Sequence, residues 1–406
     1  TRSMQTARGI KLSPIHQRLA HRGAYFREVS GWEGADWFAP CGVKPVIERQ
    51  SWGRQNWFPY WQAEHEAARS GVVLMDMSFM SKFLVQGPDA GPLLETISAN
   101  RVDGETGVTT YTQWLNEQGR LEADLTVTKL DDGRFWVVAT DTAHRHVESW
   151  MRRHIDAGTR ASVADLTSAY AQINIQGPLA RDLMQAVTTA DLSNRSFPFR
   201  TARTIDVGLA RVLCIRITYV GELGFELYVP ADQAQHVYDV LVEAGTGWGL
   251  RPAGLKALAS LRMEKAYRDY GHDIDNTDHV LEAGLGFAVD LDKPGWFVGR
   301  EAVVARKAAG PLTRRLIQVL VKDPAPLMFH AEVVYRDGRP VGYVRSASYG
   351  FTLGGAVGLA MIEADEPVTQ AYLDRGHWEI DIAGLRYPAV ASIRPLYDPA
   401  MARVRS

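Results

Sequence analysis

One heptad occurs twice in this chain, and it constrains the fold more than any other feature. Lys82-Phe83-Leu84-Val85-Gln86-Gly87-Pro88 is answered by Gln172-Ile173-Asn174-Ile175-Gln176-Gly177-Pro178. Each copy reads as a strand entering a helix, marked by Leu93, Leu94 and Ile97 in the first and Leu179, Leu183 and Met184 in the second. The same offset, to within one residue, lays Phe135–Asp141 over Phe225–Asp232. Each half therefore reads strand, helix, hairpin, helix. That order predicts α+β architecture with antiparallel sheets, not the strand-helix alternation of a parallel sheet. The repeat is too long for a solenoid and implies two similar subdomains.

Around this core, Ser13-Pro14 and Gly23 bracket a short helix. The aromatic cluster Trp32–Phe38 reads as a packing clasp. A helix covers Trp61–Arg69 and stops at Gly71, and another spans Gly254–Tyr267. Beyond Pro311, the stretches Leu316–Val321, Ala331–Tyr335, Val341–Val344 and Trp378–Ile382 alternate with Gly, Pro and Asp turns, as in a β-barrel or jelly roll. The expected organisation is an extension over 1–60, subdomains over 61–165 and 166–310, and a C-terminal β-barrel over 311–406.

With 406 residues, a net charge of −2 and 23% charged residues, the chain offers no electrostatic case for nucleic acid or an anionic membrane. No apolar run approaches a membrane span, and TRSMQTARG lacks the apolar core of a leader. Cys41 and Cys214 are the only cysteines, too few for a disulfide framework or zinc cluster. These features predict a reducing compartment, cytoplasm or mitochondrial matrix. The first residue is not Met, which predicts processing or a longer parent polypeptide. His144 and His146 stand two apart on a predicted helix and face different ways, so no metal site is expected. Gly245-Thr-Gly247-Trp-Gly249 follows a helix, not a strand, and is no dinucleotide fingerprint.

Two segments carry candidate chemistry. Thr218–Tyr228, TYVGELGFELY, reads as a strand, a turn at Gly221 and Gly224, and a second strand. In the second strand Phe225, Leu227 and Val229 share one face, and Glu226 and Tyr228 share the other. Glu226 is either on a solvated face or a carboxylate that needs a partner. In the hairpin Leu121–Leu130 and Arg134–Thr140, Leu125 and Val127 take one face. Asp124, Thr126 and Thr128 take the other. On the 254–267 helix, Leu255, Leu258, Ala259 and Ala266 form a stripe with Arg262 in its middle. Arg262 reads either as half of an internal ion pair or as a ligand contact.

Tyr219, Glu222, Gly224, Phe225 and Glu226, together with YTQWLNEQGRLEADLTVTKL and LRMEKAYRDYG, closely resemble the aminomethyltransferase family of the glycine cleavage T-protein. Trp32–Pro40, Leu281–Val289, Val298–Glu301 and Pro395–Pro399 are similar to the C-terminal folate-binding half of dimethylglycine and sarcosine dehydrogenases and oxidases. The resemblance implies a T-protein-like fold around a central tetrahydrofolate site. It places the catalytic carboxylate at Asp124 and folate contacts at Tyr111, Thr126, Tyr219, Glu226, Arg262, Tyr270 and Met80. Thr128, Phe79, Thr140 and Arg345 depart from the T-protein pattern. The implied reaction captures a formaldehyde or iminium unit from a methylated amine as 5,10-methylenetetrahydrofolate. The alternatives are direct methyl transfer to tetrahydrofolate, and a non-catalytic folate-binding subunit of an amine oxidase. No FAD or NAD is expected on this chain, so amine oxidation is expected to need a flavin-dependent partner subunit or fused domain.

Overall fold

The computed structural model describes residues 5–406; Thr1–Met4, the start of the TRSMQTARG stretch, lie outside the described residues. The chain opens with α1 (His16–His21), the hairpin β1 (Ala24–Val29) and β2 (Trp32–Phe38), α2 (Phe58–Ser70) and β3 (Val73–Asp76). The first repeat is β4 (Ser81–Gln86), α3 (Ala90–Ile97), β5 (Thr109–Leu115), β6 (Leu121–Asp131), β7 (Arg134–Ala139) and α4 (His144–Arg153). After β8 (Ser162–Asp165) comes the second: β9 (Tyr170–Gln176), α5 (Ala180–Val187), β10 (Ala202–Val207), β11 (Ala210–Ile215), β12 (Gly224–Pro230) and α6 (Ala234–Gly245). A short β13 (Arg251–Pro252), α7 (Leu255–Glu264) and α8 (Arg300–Ala308) lead to the C-terminal part. That part holds β14 (Arg314–Val321), β15 (Val333–Arg336), β16 (Arg339–Gly350), β17 (Gly355–Glu363), α9 (Gln370–Arg375), β18 (Trp378–Ile382) and β19 (Leu385–Ser392), and its six strands close into an antiparallel barrel.

The two repeats build matching sheets, β5-β6-β7-β4-β8 and β10-β11-β12-β9-β3-β13. Each sheet takes in a strand from beside the other repeat. β3 runs directly before β4 yet pairs with β9, and β8 runs directly before β9 yet pairs with β4. This reciprocal exchange ties the halves together through backbone hydrogen bonds. In each sheet one face is apolar and covered by helices. Phe83, Val85, Leu125, Val127, Phe135 and Val137 pack under α3 and α4. Ile173, Ile175, Cys214, Phe225, Leu227 and Val229 pack under α5 and α6. A strand with one face buried has its register fixed, because a one-residue slip would put that apolar set in water.

Two local expectations are corrected. Thr218–Val220 is not strand, because β11 ends at Ile215. The Thr218 hydroxyl accepts the N–H groups of Val220 and Gly221, at 3.2 Å each, and diverts the backbone from the ladder. Gly221 follows at φ +83°, and a Cβ there would lie 2.2 Å from the Lys265 stem. The predicted 254–267 helix stops at Glu264, where Ala266 turns left-handed at φ 53°. Nor does it present a single apolar stripe: Ala257, Ser260, Leu261, Arg262, Met263 and Glu264 are all buried, because the helix lies among α2, β2 and β16.

Glu264 is the polar knot of this packing. Its carboxylate accepts Arg69 Nη2 at 2.8 Å and the Thr352 N–H at 2.8 Å, and lies 3.3 Å from His65 Nε2. Ser260, His65 and Glu264 stand in the order of a hydrolytic triad. All three are at most 1% exposed, and the Ser260 hydroxyl donates to the Ala257 carbonyl at 3.0 Å and accepts from Trp61 Nε1 at 3.1 Å, so the line is a structural clamp. Burial alone raises the Glu264 carboxyl, but His65 and Arg69 override it and hold it at about 2. A carboxyl depressed on folding stabilises the protein above its ordinary value of 4.5 and loses that contribution as pH falls toward 2. Glu264→Gln is expected to cost about 3 kcal/mol at pH 7, as when one partner of a buried pair is removed. The variant should also lack the wild-type loss of stability across that acid window, as read by thermal melts from pH 7 downward.

Candidate functional site

Strand register brings the polar residues together. Opposite residues on paired strands share a face. Gln113 pairs with Asp124 and Tyr111 with Thr126; Thr126 pairs with Val138, and Val138 with Lys82. In the other sheet Glu226 pairs with Ile215 and Asn174, and Asn174 pairs with Met75. These residues occupy the faces that the helices leave free. The two faces meet where Trp136 stands edge-on to Tyr228, 5.5 Å between rings, with Val138, Ile215 and Met80 around them.

Asp124 sits on the inner face of β6. Gln113 Nε2 donates to its Oδ1 at 2.9 Å, and the Tyr111 hydroxyl lies beside it. Burial pushes the carboxyl up to about 6, against the lowering influence of Gln113, Tyr111 and the nearby Arg268. Arg268 itself is spent on backbone carbonyls, Ala266 at 2.7 Å and Ala283 at 3.1 Å. Tyr219 donates its hydroxyl to the Arg268 carbonyl at 2.6 Å and stacks on Tyr267 at 6.0 Å, which pins the segment carrying that cation. Tyr111 also stacks on Phe287, a largely exposed ring in the short 3-10 turn Gly286–Ala288.

Glu226 occupies the inner face of β12. It accepts the Tyr228 hydroxyl at 2.6 Å and Asn174 Nδ2 at 3.5 Å, both neutral donors. Burial raises its carboxyl above the ordinary range. The cation that acts on it is Lys82, whose Nζ is fixed instead by the carbonyls of Met80 at 2.7 Å and Ser78 at 2.8 Å. Burial lowers Lys82 to about 7, opposed by Asp76, Asp165 and Glu226. Met80 thus presents its carbonyl to Lys82 and its side chain to the apolar cluster between the sheets.

Arg262 forms the internal ion pair that its sequence position allows. It bonds Asp273 and donates to the Tyr267 carbonyl and the Ser346 hydroxyl, at 3.0 Å each. Tyr270 packs at the edge of two apolar clusters, one of them the cluster that includes Tyr111. Thr128 bonds Thr109 at 2.8 Å, Phe79 is buried, Thr140 leads into the 3-10 turn before α4, and Arg345 pairs with Asp278 at 3.1 Å. His144 and His146 take different carboxylates, Asp165 at 2.9 Å and Glu122 at 2.8 Å. Among the described residues no group of three or more His, Cys, Asp or Glu is placed to hold a metal ion.

Gln113, Asn174, Lys82 and Arg268 escaped the sequence reading. Gln113 was within reach of it, since it lies two residues after Tyr111 on the same face. Arg268 carried no such signal, because a left-handed turn places it. Gln113, Gln172 and Gln176 each keep a buried Oε1 without a hydrogen-bond partner. Two carboxylates held by neutral donors, with empty acceptors nearby, suit a planar ligand rich in N–H groups.

Residues 15–293 match the GCVT N-terminal domain, and residues 314–398 match the glycine cleavage T-protein C-terminal barrel domain. The chain belongs to the T-protein family. It is 40% identical to 4-methylaminobutanoate oxidase (formaldehyde-forming) of Paenarthrobacter nicotinovorans, across 99% of this chain and 48% of that protein. It is 32% identical to human mitochondrial sarcosine dehydrogenase, across 98% of this chain and 47% of that one. The chain thus spans about half the length of these relatives. In fold it is similar to the glycine cleavage aminomethyltransferase of Bartonella henselae, with a TM-score of 0.78 at 21% identity over 95% of this chain and 97% of that one. The antiparallel α+β architecture expected from the repeat, the T-protein-like fold implied by the resemblance and the C-terminal barrel are therefore present.

Within this T-protein fold Asp124 is a destabilising carboxylate. A carboxyl raised on folding stabilises the protein below its ordinary value of 3.8 and loses that contribution as pH rises through about 6. Asp124→Asn is expected to melt several degrees above wild type at pH 7–8, with the difference vanishing below about pH 4. Paired thermal melts across that range check it.

Proposed function

We propose that this chain binds tetrahydrofolate between the two sheets and transfers to it a one-carbon unit. The unit derives from a methylated amine as formaldehyde or iminium, and the product is 5,10-methylenetetrahydrofolate. The observation that carries the reading is the pair of inner-face carboxylates, Asp124 and Glu226, each held by neutral donors instead of a bonded cation. When bound, tetrahydrofolate supplies nitrogen nucleophiles for the one-carbon unit. Glu226 would hold the pterin through its remaining lone pairs, as charge-assisted acceptors. Tyr111, Thr126, Tyr219, Tyr270 and Met80 would line the ring system. Arg262 acts from behind, fixing the turn at Tyr267 that Tyr219 stacks on.

Asp124 supplies a fixed negative charge where positive charge develops on nitrogen, and an acceptor for a proton. Gln113 and Tyr111 orient it, and its value of about 6 leaves it ionised at neutral pH yet basic enough to take a proton. The formaldehyde named for one half-matched relative, and the extra length of both, support an oxidase half or partner as the source of the donor. The amine, the partner and the folate all belong to this proposal.

The test separates binding from chemistry. Glu226→Ala is expected to weaken tetrahydrofolate binding by about 2 kcal/mol in calorimetric titration. Asp124→Asn is expected to leave affinity nearly intact and to lower turnover by about 10²-fold, after subtraction of the unaided condensation of formaldehyde with tetrahydrofolate. Unchanged turnover in a folded Asp124→Asn protein removes Asp124 from the chemistry. Unchanged affinity in Glu226→Ala removes Glu226 from the site.

A further inference from the structure

Gln113 is fully buried, stands opposite Asp124 in register, and donates Nε2 to Oδ1 at 2.9 Å. A carboxylate oxygen can take only the N–H side of an amide, so the orientation of this side chain is set by chemistry. The carbonyl oxygen Oε1 then points elsewhere, and it is buried with no partner. A buried acceptor left empty is costly, and in a native structure it asks for a reason. The choice of a neutral donor also has a consequence. Glu264, gripped by a cation, is held near 2, far too acidic to take up a proton at neutral pH, whereas Asp124 is bound firmly but not by a salt bridge.

We propose that Gln113 is the positioning residue of this site: its Nε2 fixes Asp124, and its Oε1 accepts an N–H from an amine-bearing ligand between the sheets. This rests on the reading of Asp124 as the carboxylate at the reacting position. The other groups facing Asp124 are Tyr111 on β5, Tyr219 ahead of β12, and Arg268 and Asp269 after α7. None of them bonds Oδ1 at the distance Gln113 does. Gln113 therefore sets the orientation of the carboxylate and, of these neighbours, most lowers its affinity for a proton, against the raising effect of burial.

Two substitutions test the idea. Gln113→Met keeps the volume and removes both polar atoms. Gln113→Glu keeps the shape and places a second carboxyl beside the first, which keeps the test alive should the Met variant not fold. The first readout needs no ligand. Thermal melts of the full chain against pH, each referenced to the same variant carrying Asp124→Asn, isolate the titration of Asp124. The limb near pH 6 is expected to move up by about one unit in Gln113→Met, and further in Gln113→Glu because like charges repel. A limb that stays in place in both variants overturns the positioning role. The second readout is calorimetry with tetrahydrofolate as the probe. Gln113→Met is expected to bind about tenfold more weakly, the loss of one hydrogen bond to a buried acceptor. Equal affinity overturns the role of Oε1. If Asp124→Asn retains turnover while the limb still moves, one-carbon transfer through Asp124 fails and the hold of Gln113 on Asp124 stands. If Asp124→Asn is inactive while the limb is unmoved, the reverse holds.

Discussion

The exchange of β3 and β8 is the constraint on which the rest of the structure depends. Each four-residue strand joins the sheet of the repeat that it does not directly precede in sequence. The two sheets therefore cannot separate without breaking backbone ladders, whose hydrogen bonds are costly to leave unmade in a dry interior. Their apolar faces are already committed to α3, α4, α5 and α6. The remaining faces are held toward each other, and every residue on them inherits its position from a register that cannot slip. Asp124 and Glu226 lie on those faces because Leu125 and Leu227, their chain neighbours, lie on the others.

Burying carboxylates in this way separates them by partner type. Glu264 is embedded between Arg69 and His65 and is depressed; it joins α2, α7 and the turn after β16 as a structural knot. Asp124 and Glu226 have amide and hydroxyl donors, and burial raises both. Arg262 belongs with the knot, because Asp273 neutralises it at close range. The distinction is physical. A cation within bonding distance stabilises the charged form and leaves no site for a ligand, whereas neutral donors leave charge and lone pairs available. The same logic makes the Ser260–His65–Glu264 line inert, since every polar atom that a nucleophile would use is already spent inside the protein.

The C-terminal barrel closes one side of this arrangement. Gln318 on β14 donates to the Met263 and Glu264 carbonyls at 2.6 and 3.1 Å, and Ser346 on β16 reaches Arg262 at 3.0 Å. The end of α7, where the helix turns left-handed at Ala266, is thereby anchored to the barrel. That anchored turn carries Arg268 and Asp269, which both act on the charge of Asp124, Arg268 acting on Tyr111 as well.

What local pattern encodes was readable in advance. Period-2 alternation separated Phe225, Leu227 and Val229 from Glu226 and Tyr228, and Leu125 and Val127 from Asp124 and Thr126. The repeated heptad announced two equivalent halves. Four barrel strands were visible through their turns, while β17 and β19 were missed. Gln113 obeyed the same alternation and was overlooked beside Tyr111. What depends on distant partners was not readable. Val73–Asp76 and Ser162–Asp165 are short and lack turn signals, so nothing local says that they cross between repeats. Arg262 offered two readings, and the sequence did not name Asp273 as the partner of its internal ion pair. The sequence by itself determined which residues share a face, because side-chain direction along a strand is a local property of the backbone. Only the tertiary structure decided which faces meet and which charges are neutralised, because those depend on contacts between residues far apart in the chain.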